Sequence, residues 1–296
     1  MIPEKGAMDW ILPALLTALM TASQDAWVKR CFSEFSMFDM LAFPMAYSLP
    51  LFCLVLPHIP VPDLDRTFAI YFVAGIPVNL IGFLLHMRAI QISPLSLSLP
   101  YLAFTPVFIF LTGFLILGET ANGWGAFGVC IIVTGAYVLN IDPEVYSPLS
   151  PFIAIGRERG SLLMLLTAFI YSFGAVVGKK AIQHSSVMFF TTSFFCVFNA
   201  VCLAGMLIAG KTRFGRLTRF PLKGAVAGGL LFGHALCHGW AISMTKAVYM
   251  IAVKRLSILF GVIYGGLFFN ERHLLYRMVG TGLMMVGAAV VTLKGL

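Results

Sequence analysis

Long apolar runs and short polar breaks alternate along the whole chain. A helix crossing ~30 Å of hydrocarbon needs roughly 20 mainly apolar residues. That ruler predicts spans at 10–29, 38–57, 68–87, 95–117, 122–140, 160–181, 187–209, 222–243, 247–269 and 276–293. Most breaks are a few residues long, which forces consecutive spans to run up and down. The two longest, 141–159 and 210–221, carry Pro and Arg/Lys respectively. No soluble domain fits between them, so the predicted fold class is all-α integral membrane with ten transmembrane helices.

Composition points the same way. Hydrophobic residues make up 59% of the 296 and charged residues 11%, too little polar surface for a soluble fold of this size. The formal charge of +8 is scattered over loops and helix ends. No basic stripe with interleaved aromatics forms, so nucleic acid is not an expected partner. The excess is read as membrane topology and as a hint of an anionic cargo. The six cysteines, Cys31, Cys53, Cys130, Cys196, Cys202 and Cys237, contain no CxxC pair. Most lie in apolar runs, where Cys acts as a small hydrophobe, and neither a disulfide nor a metal site is expected. The first apolar run, from Trp10, lacks a small-residue cleavage site and is not read as a signal peptide.

The halves repeat. A shift of 152 residues places Gly113 on Gly265, Glu119 on Glu271, Gly128 on Gly280, Gly135 on Gly287 and His86 on His238. Near the start of each half a shift of 150 matches Leu15-Leu16-Thr17-Ala18 with Leu165-Leu166-Thr167-Ala168, and Lys29-Arg30 with Lys179-Lys180. Two five-helix units follow, 1–145 and 146–296. Because five is odd, the second enters the membrane from the opposite face, giving the inverted repeat on which secondary transporters build a midplane site.

The order and duplication of several motifs resemble the EamA-type units of the ten-span drug/metabolite transporter superfamily. In the first half these are Ser93-Pro94-Leu95-Ser96, Pro100 through Thr105-Pro106-Val107, and Leu117-Gly118-Glu119. In the second they are Lys254-Arg255-Leu256-Ser257, Tyr264-Gly265 and Phe269-Asn270-Glu271. The resemblance covers essentially the whole chain and implies a carrier with both termini cytoplasmic. Lysine and arginine counts alone put the termini on the other side, chiefly through Lys211, Arg213, Arg216 and Arg219.

Polar residues inside spans nominate the site. A charge near the bilayer centre costs about 2.5 to 3.5 kcal/mol even on the mildest scale, so it faces a cavity or a partner. Lys254 and Arg255 are the first candidates, and Lys254, Ser257, Gly261 and Gly265 fall on one stripe of a continuous ninth helix. An arginine fork beside a lysine suits phosphate or carboxylate. The dipeptide is also similar to the Lys-Arg of the triose-phosphate and nucleotide-sugar branch, which implies an anionic substrate group. The fourth span departs from that branch by having no interior basic residue.

Gln24 and Asp25 share a face of the first span with Thr17 and Thr21. Asp25 is either an interfacial carboxylate paired with Lys29 or a proton or cation coupling site. His234 and His238 stand at i, i+4. A zinc site needs three or four ligands, so they are read as cavity residues that hydrogen-bond cargo or shuttle a proton, with plain packing as the alternative. Tyr101 either contacts cargo or packs in the core. Pro94, Pro100 and Pro106 bend the fourth span. Gly174/Gly178, Gly229/Gly233 and Gly261/Gly265 have the spacing of close helix contacts, and Glu119 and Glu271 are read as caps or loop residues.

No Walker-type loop is present. The expected function is a secondary transporter, an exporter or exchanger of a small anionic or zwitterionic solute by alternating access. Its expected partners are that substrate and the lipid bilayer. It is expected as a monomer in the plasma (inner) membrane, with no catalytic residues and no cofactor. The alternatives are a cationic drug/proton antiporter, an intramembrane His-dependent enzyme and a channel.

Overall fold

The computed structural model describes residues 9–139, 159–269 and 274–294, and among them it is built from helices without strands. Three helices open the chain: α1 (Ile11–Phe32), α2 (Met37–Val55) and α3 (Arg66–Ile92). The fourth span is broken into α4 (Leu95–Ser98), a 3-10 stretch (Leu99–Phe104) and α5 (Thr105–Leu117), and α6 (Gly123–Leu139) follows. The second half holds α7 (Arg159–Gln183), α8 (Val187–Ile208), the short α9 (Phe214–Leu217) and α10 (Pro221–Met244). It ends with α11 (Ala247–Lys254), α12 (Ser257–Phe269) and α13 (Leu274–Lys294).

Among the described residues, seven stretches are long and apolar enough to cross a membrane, and Gly123–Val138 and Gly282–Val291 are shorter apolar helices. α1 is not among the seven, since Gln24, Asp25, Lys29 and Arg30 dilute its apolar run. Glu271, the 145/146 boundary and most of 141–159 lie outside the described residues.

Local chemistry explains the boundaries. Ser36 and Asp39 form a capping box at the start of α2, each side chain taking a backbone N–H of the other. α5 ends on Gly118 at φ 68°, a left-handed position that disfavours any side chain. Pro100 and Pro106 fall in the broken fourth segment, as expected. The ninth breaks as well, at Arg255–Leu256, with no proline there. The continuous stripe expected for Lys254, Ser257, Gly261 and Gly265 is therefore interrupted between its first two members.

The repeat reappears as paired contacts. α1 packs on α10 while their counterparts α7 and α3 pack on each other, and α6 packs on α13. The halves also bond to each other directly: Asn199 Nδ2 donates to Ser48 Oγ at 3.0 Å, and Arg255 Nη2 donates to Thr105 Oγ1 at 2.7 Å. Within the first half Lys29 donates to the Ser93 carbonyl, and within the second Lys179 to that of Thr245.

The glycines in register in the sequence form the α6–α13 interface, crosswise. A Cβ on Gly135 would lie 2.6 Å from the Gly280 carbonyl oxygen, and one on Gly128 would lie 2.9 Å from that of Gly287. Backbone cannot yield as a flexible side chain can, and small residues are what allow helices this close. Replacing Gly135 by Leu should separate α6 from α13 and lower the melting temperature in detergent by roughly 5 °C or more, as overpacking by about 1–3 kcal/mol implies. An unchanged melting curve would show that the two helices are not held at this distance. The GxxxG pairs read from sequence divide: a Cβ on Gly233 would lie 2.8 Å from the Met20 sulfur and one on Gly261 would lie 2.5 Å from Leu99 Cδ1. A Cβ on Gly229 meets nothing within 4 Å, and one on Gly174 or Gly178 makes only ordinary contact. The tight α2–α10 approach uses Gly224 and Gly228 instead, against Tyr47 and Ser48.

The two ends of α2 differ. At its start, buried Asp39 accepts from Thr212 Oγ1 at 2.6 Å and from Arg216, while Phe32 stacks on Phe43 with ring centres 3.9 Å apart. Phe35 and Phe220 extend that aromatic cluster. Beyond its other end, half-exposed Asp65 pairs with His184 at 2.7 Å. The first end thus holds its carboxylate buried, while the second pairs its own at the surface beside a further aromatic cluster of Phe68, Phe72, Phe189 and Phe190.

Candidate functional site

Breaking the fourth and ninth segments at equivalent places brings two chain discontinuities to the junction of the halves. In membrane-spanning folds such breaks free polar backbone and commonly frame a binding site. A cavity of about 1210 Å³, open solvent at its mouth included, lies there and is lined by both halves. The first half supplies Thr21, Gln24, Asp25, Asn79, Phe83 and His86; the second supplies Tyr171, Lys179, Thr191, His234, His238, Lys254 and Arg255 among others. Apolar and aromatic groups, including Leu41, Met45, Leu102, Phe194 and Ile251, form much of the remaining wall.

Lys254 is the last residue of α11, and its Nζ lies 2.9 Å from His234 Nε2 and 3.4 Å from His238 Nδ1. An ammonium has only donors, so both imidazoles turn a lone pair toward it. The i, i+4 spacing on α10 is what aims both rings one way. Arg255, 2% exposed at the helix break, spends Nη2 on Thr105, while its Nε has no hydrogen-bond partner. Asp25 does not pair with Lys29, as the interfacial reading of the sequence has it. His86 reaches down from α3 and holds it, Nε2 to Oδ1 at 2.9 Å, and Lys29 points to the Ser93 carbonyl instead.

Of the residues nominated from sequence, Lys254, Arg255, His234, His238, Gln24 and Asp25 come together around this cavity. Tyr101 and Ser257 do not line it; both are buried, at 2% and 4% exposure. Tyr101 sits in the 3-10 stretch of the fourth segment and Ser257 begins α12. The sequence reading did not nominate His86, Asn79 or Thr191. His86 had a signal, its register with His238; Asn79 and Thr191 had none. His86 Nδ1, Thr191 Oγ1 and Arg255 Nε are buried polar atoms without a partner among the described residues, and all three residues line the cavity.

Charge is the chemical character of this chamber. Lys179 is paired with Glu119, and Asp25 with His86. Neither Lys254 nor Arg255 has a carboxylate within ion-pair distance among the described residues. A buried guanidinium beside a half-buried ammonium, without a counter-ion among the described residues, is costly unless a ligand provides one. The cavity is also one-sided. Gly178, Lys179 and Ile182 at the end of α7 line it, whereas their counterparts at the end of α1, Val28, Lys29 and Phe32, do not.

Apolar helices enclosing a charged, solute-sized chamber where two repeated halves meet define a multi-pass membrane protein. The chain belongs to the EamA-like transporter family, whose model matches residues 8–141 and again 158–293. That membership makes it a membrane transporter of small solutes. No curated protein matches the chain. A protein of known crystal structure is similar over 99% of this chain and 98% of its own, with 15% sequence identity and a TM-score of 0.64, a likeness of fold.

Proposed function

We propose that the chain is a secondary carrier of a small organic anion or zwitterion with an apolar body, working by alternating access. The observation that carries this reading is the pair Lys254 and Arg255, facing a largely apolar cavity without a carboxylate partner. A carboxylate suits the free Nε and the ammonium together. Phe83, Tyr171 and Phe194 offer ring faces to an apolar body. His234, His238 and Gln24 contact the same solute, and Asp25, held by His86, is the candidate coupling group.

In this reading ten helical segments span the plasma membrane as two inverted five-helix units, 1–145 and 146–296, in a monomer. The crosswise approach of Gly128 to Gly287 and of Gly135 to Gly280 supports it. A cation antiporter has less support, since the cavity's carboxylate is already engaged by His86 and is outnumbered by cations.

Counterflow in proteoliposomes tests the carrier mechanism. With a monocarboxylate such as phenylacetate loaded inside, uptake of labelled phenylacetate should rise several-fold over empty vesicles. Flux indifferent to trans substrate would identify a channel, and no saturable flux of any small carboxylate would remove the anion reading.

A further inference from the structure

Cys53 and Cys196 have no part in the cavity. They lie on α2 and α8, helices that occupy the same place in the two halves, and their sulfurs are 3.3 Å apart. The face they share is well fixed. Phe52 stacks on Phe195 with ring centres 5.4 Å apart and an interplanar angle of 14°, and Asn199 bonds Ser48 across the same interface. A disulfide needs sulfurs at about 2.05 Å, so a shift of about 1 Å completes one without moving the helices apart. Cys53 is exposed and stands two residues from the end of α2, where a reagent dissolved in lipid or at its boundary reaches it; Cys196 is half-buried beside it. Sequence spacing gave no sign of the pair, because the two residues are 143 positions apart.

We propose that Cys53 and Cys196 form an oxidation site that cross-links the two halves, with organic hydroperoxides of the lipid phase as its reactant class. The sulfur of exposed Cys53 attacks the distal peroxide oxygen, breaking the O–O bond. This leaves a sulfenic acid on Cys53 and releases the alcohol, which carries the proton from the thiol. Cys196 then attacks the sulfenic sulfur, the S–S bond forms, and the hydroxyl leaves with the Cys196 proton as water. Two thiols and one hydroperoxide thus give one disulfide, one alcohol and one water, and the peroxide takes both electrons. The bond ties α2 to α8 across the axis between the halves. Its consequence for flux rests on the carrier reading above: halves that must move relative to each other are arrested.

The full chain in lipid nanodiscs, treated with tert-butyl hydroperoxide, then alkylated and digested, provides the test. A cross-linked peptide joining Cys53 to Cys196 should be the main disulfide product, absent from C53S and C196S. In proteoliposomes, counterflow should drop at least tenfold on oxidation and return with dithiothreitol, while C53S keeps full, oxidant-insensitive flux. If both thiols stay open to alkylation after peroxide, the site is overturned. A complete cross-link with unchanged flux overturns the arrest. Lack of counterflow in the reduced, untreated protein is a failure of the carrier reading and leaves the peptide result standing on its own.

Discussion

Replacing Arg255 by Gln, or Lys254 by Gln, should lower saturable transport of a carboxylate by at least about 30-fold. Truncating one partner of a desolvated, hydrogen-bonded charge pair costs about 2 kcal/mol or more, and each 1.4 kcal/mol is tenfold in affinity. The two variants should differ in kind. Arg255 holds its place through Thr105 as well as facing the cavity, so R255K should keep the charge yet still lose much of the effect, the planar fork being gone. Lys254 is centred between two imidazoles, and K254R should restore part of the transport. Initial rates in proteoliposomes, beside an elution profile showing an intact fold, check both. Near-normal rates in R255Q and K254Q alike would take the pair out of the binding site.

Breaking the Glu119 junction should cost the protein more than any surface change. Glu119 follows the left-handed Gly118, pairs with Lys179 at the far end of α7, and accepts the Ala247 backbone N–H at 2.8 Å, capping α11. One side chain thus fastens three elements from both halves. Glu119→Ala leaves buried Lys179 without its anion and α11 without its cap. Losing one member of a buried pair costs about 3 to 5 kcal/mol, so the melting temperature in detergent should fall by roughly 5 to 10 °C. Removing both charges, in E119Q/K179M, should recover a large part of that loss, because no unpaired charge remains. A melting temperature within a degree of wild type for Glu119→Ala would refute the junction's role.

Helix limits to within a few residues, the doubling of the chain and two of the cavity's cations, Lys254 and Arg255, were legible in the sequence. Each depends on a signal that one residue type carries alone: apolar run length, glycines in register, or a charge where lipid forbids one. Partners across the fold were not legible. Asp25 has Lys29 one helical turn away, and local spacing favours that pair; only the packing of α1 near α3 delivers His86 to it. The break at Arg255 has no proline to announce it, whereas the broken fourth segment carries Pro100 and Pro106. That break is what takes Ser257 off the stripe it would share with Lys254 on a straight helix. The GxxxG spacings were a partial guide for a related reason. Spacing tells which glycines share a face, but not what lies opposite: Gly233 and Gly261 are tightly packed, Gly174, Gly178 and Gly229 are not, and the approaches to another backbone fell to Gly128, Gly135 and Gly228.

Ligand-induced thermal shift compares the alternatives most directly, on purified wild-type protein and R255Q, with aromatic and aliphatic monocarboxylates against lipophilic cations of equal size. Carboxylates with an apolar body should raise the wild-type melting temperature in a saturable way and leave R255Q unmoved. Stabilisation by the cations with none from the carboxylates, in wild type and R255Q equally, would contradict the anion reading.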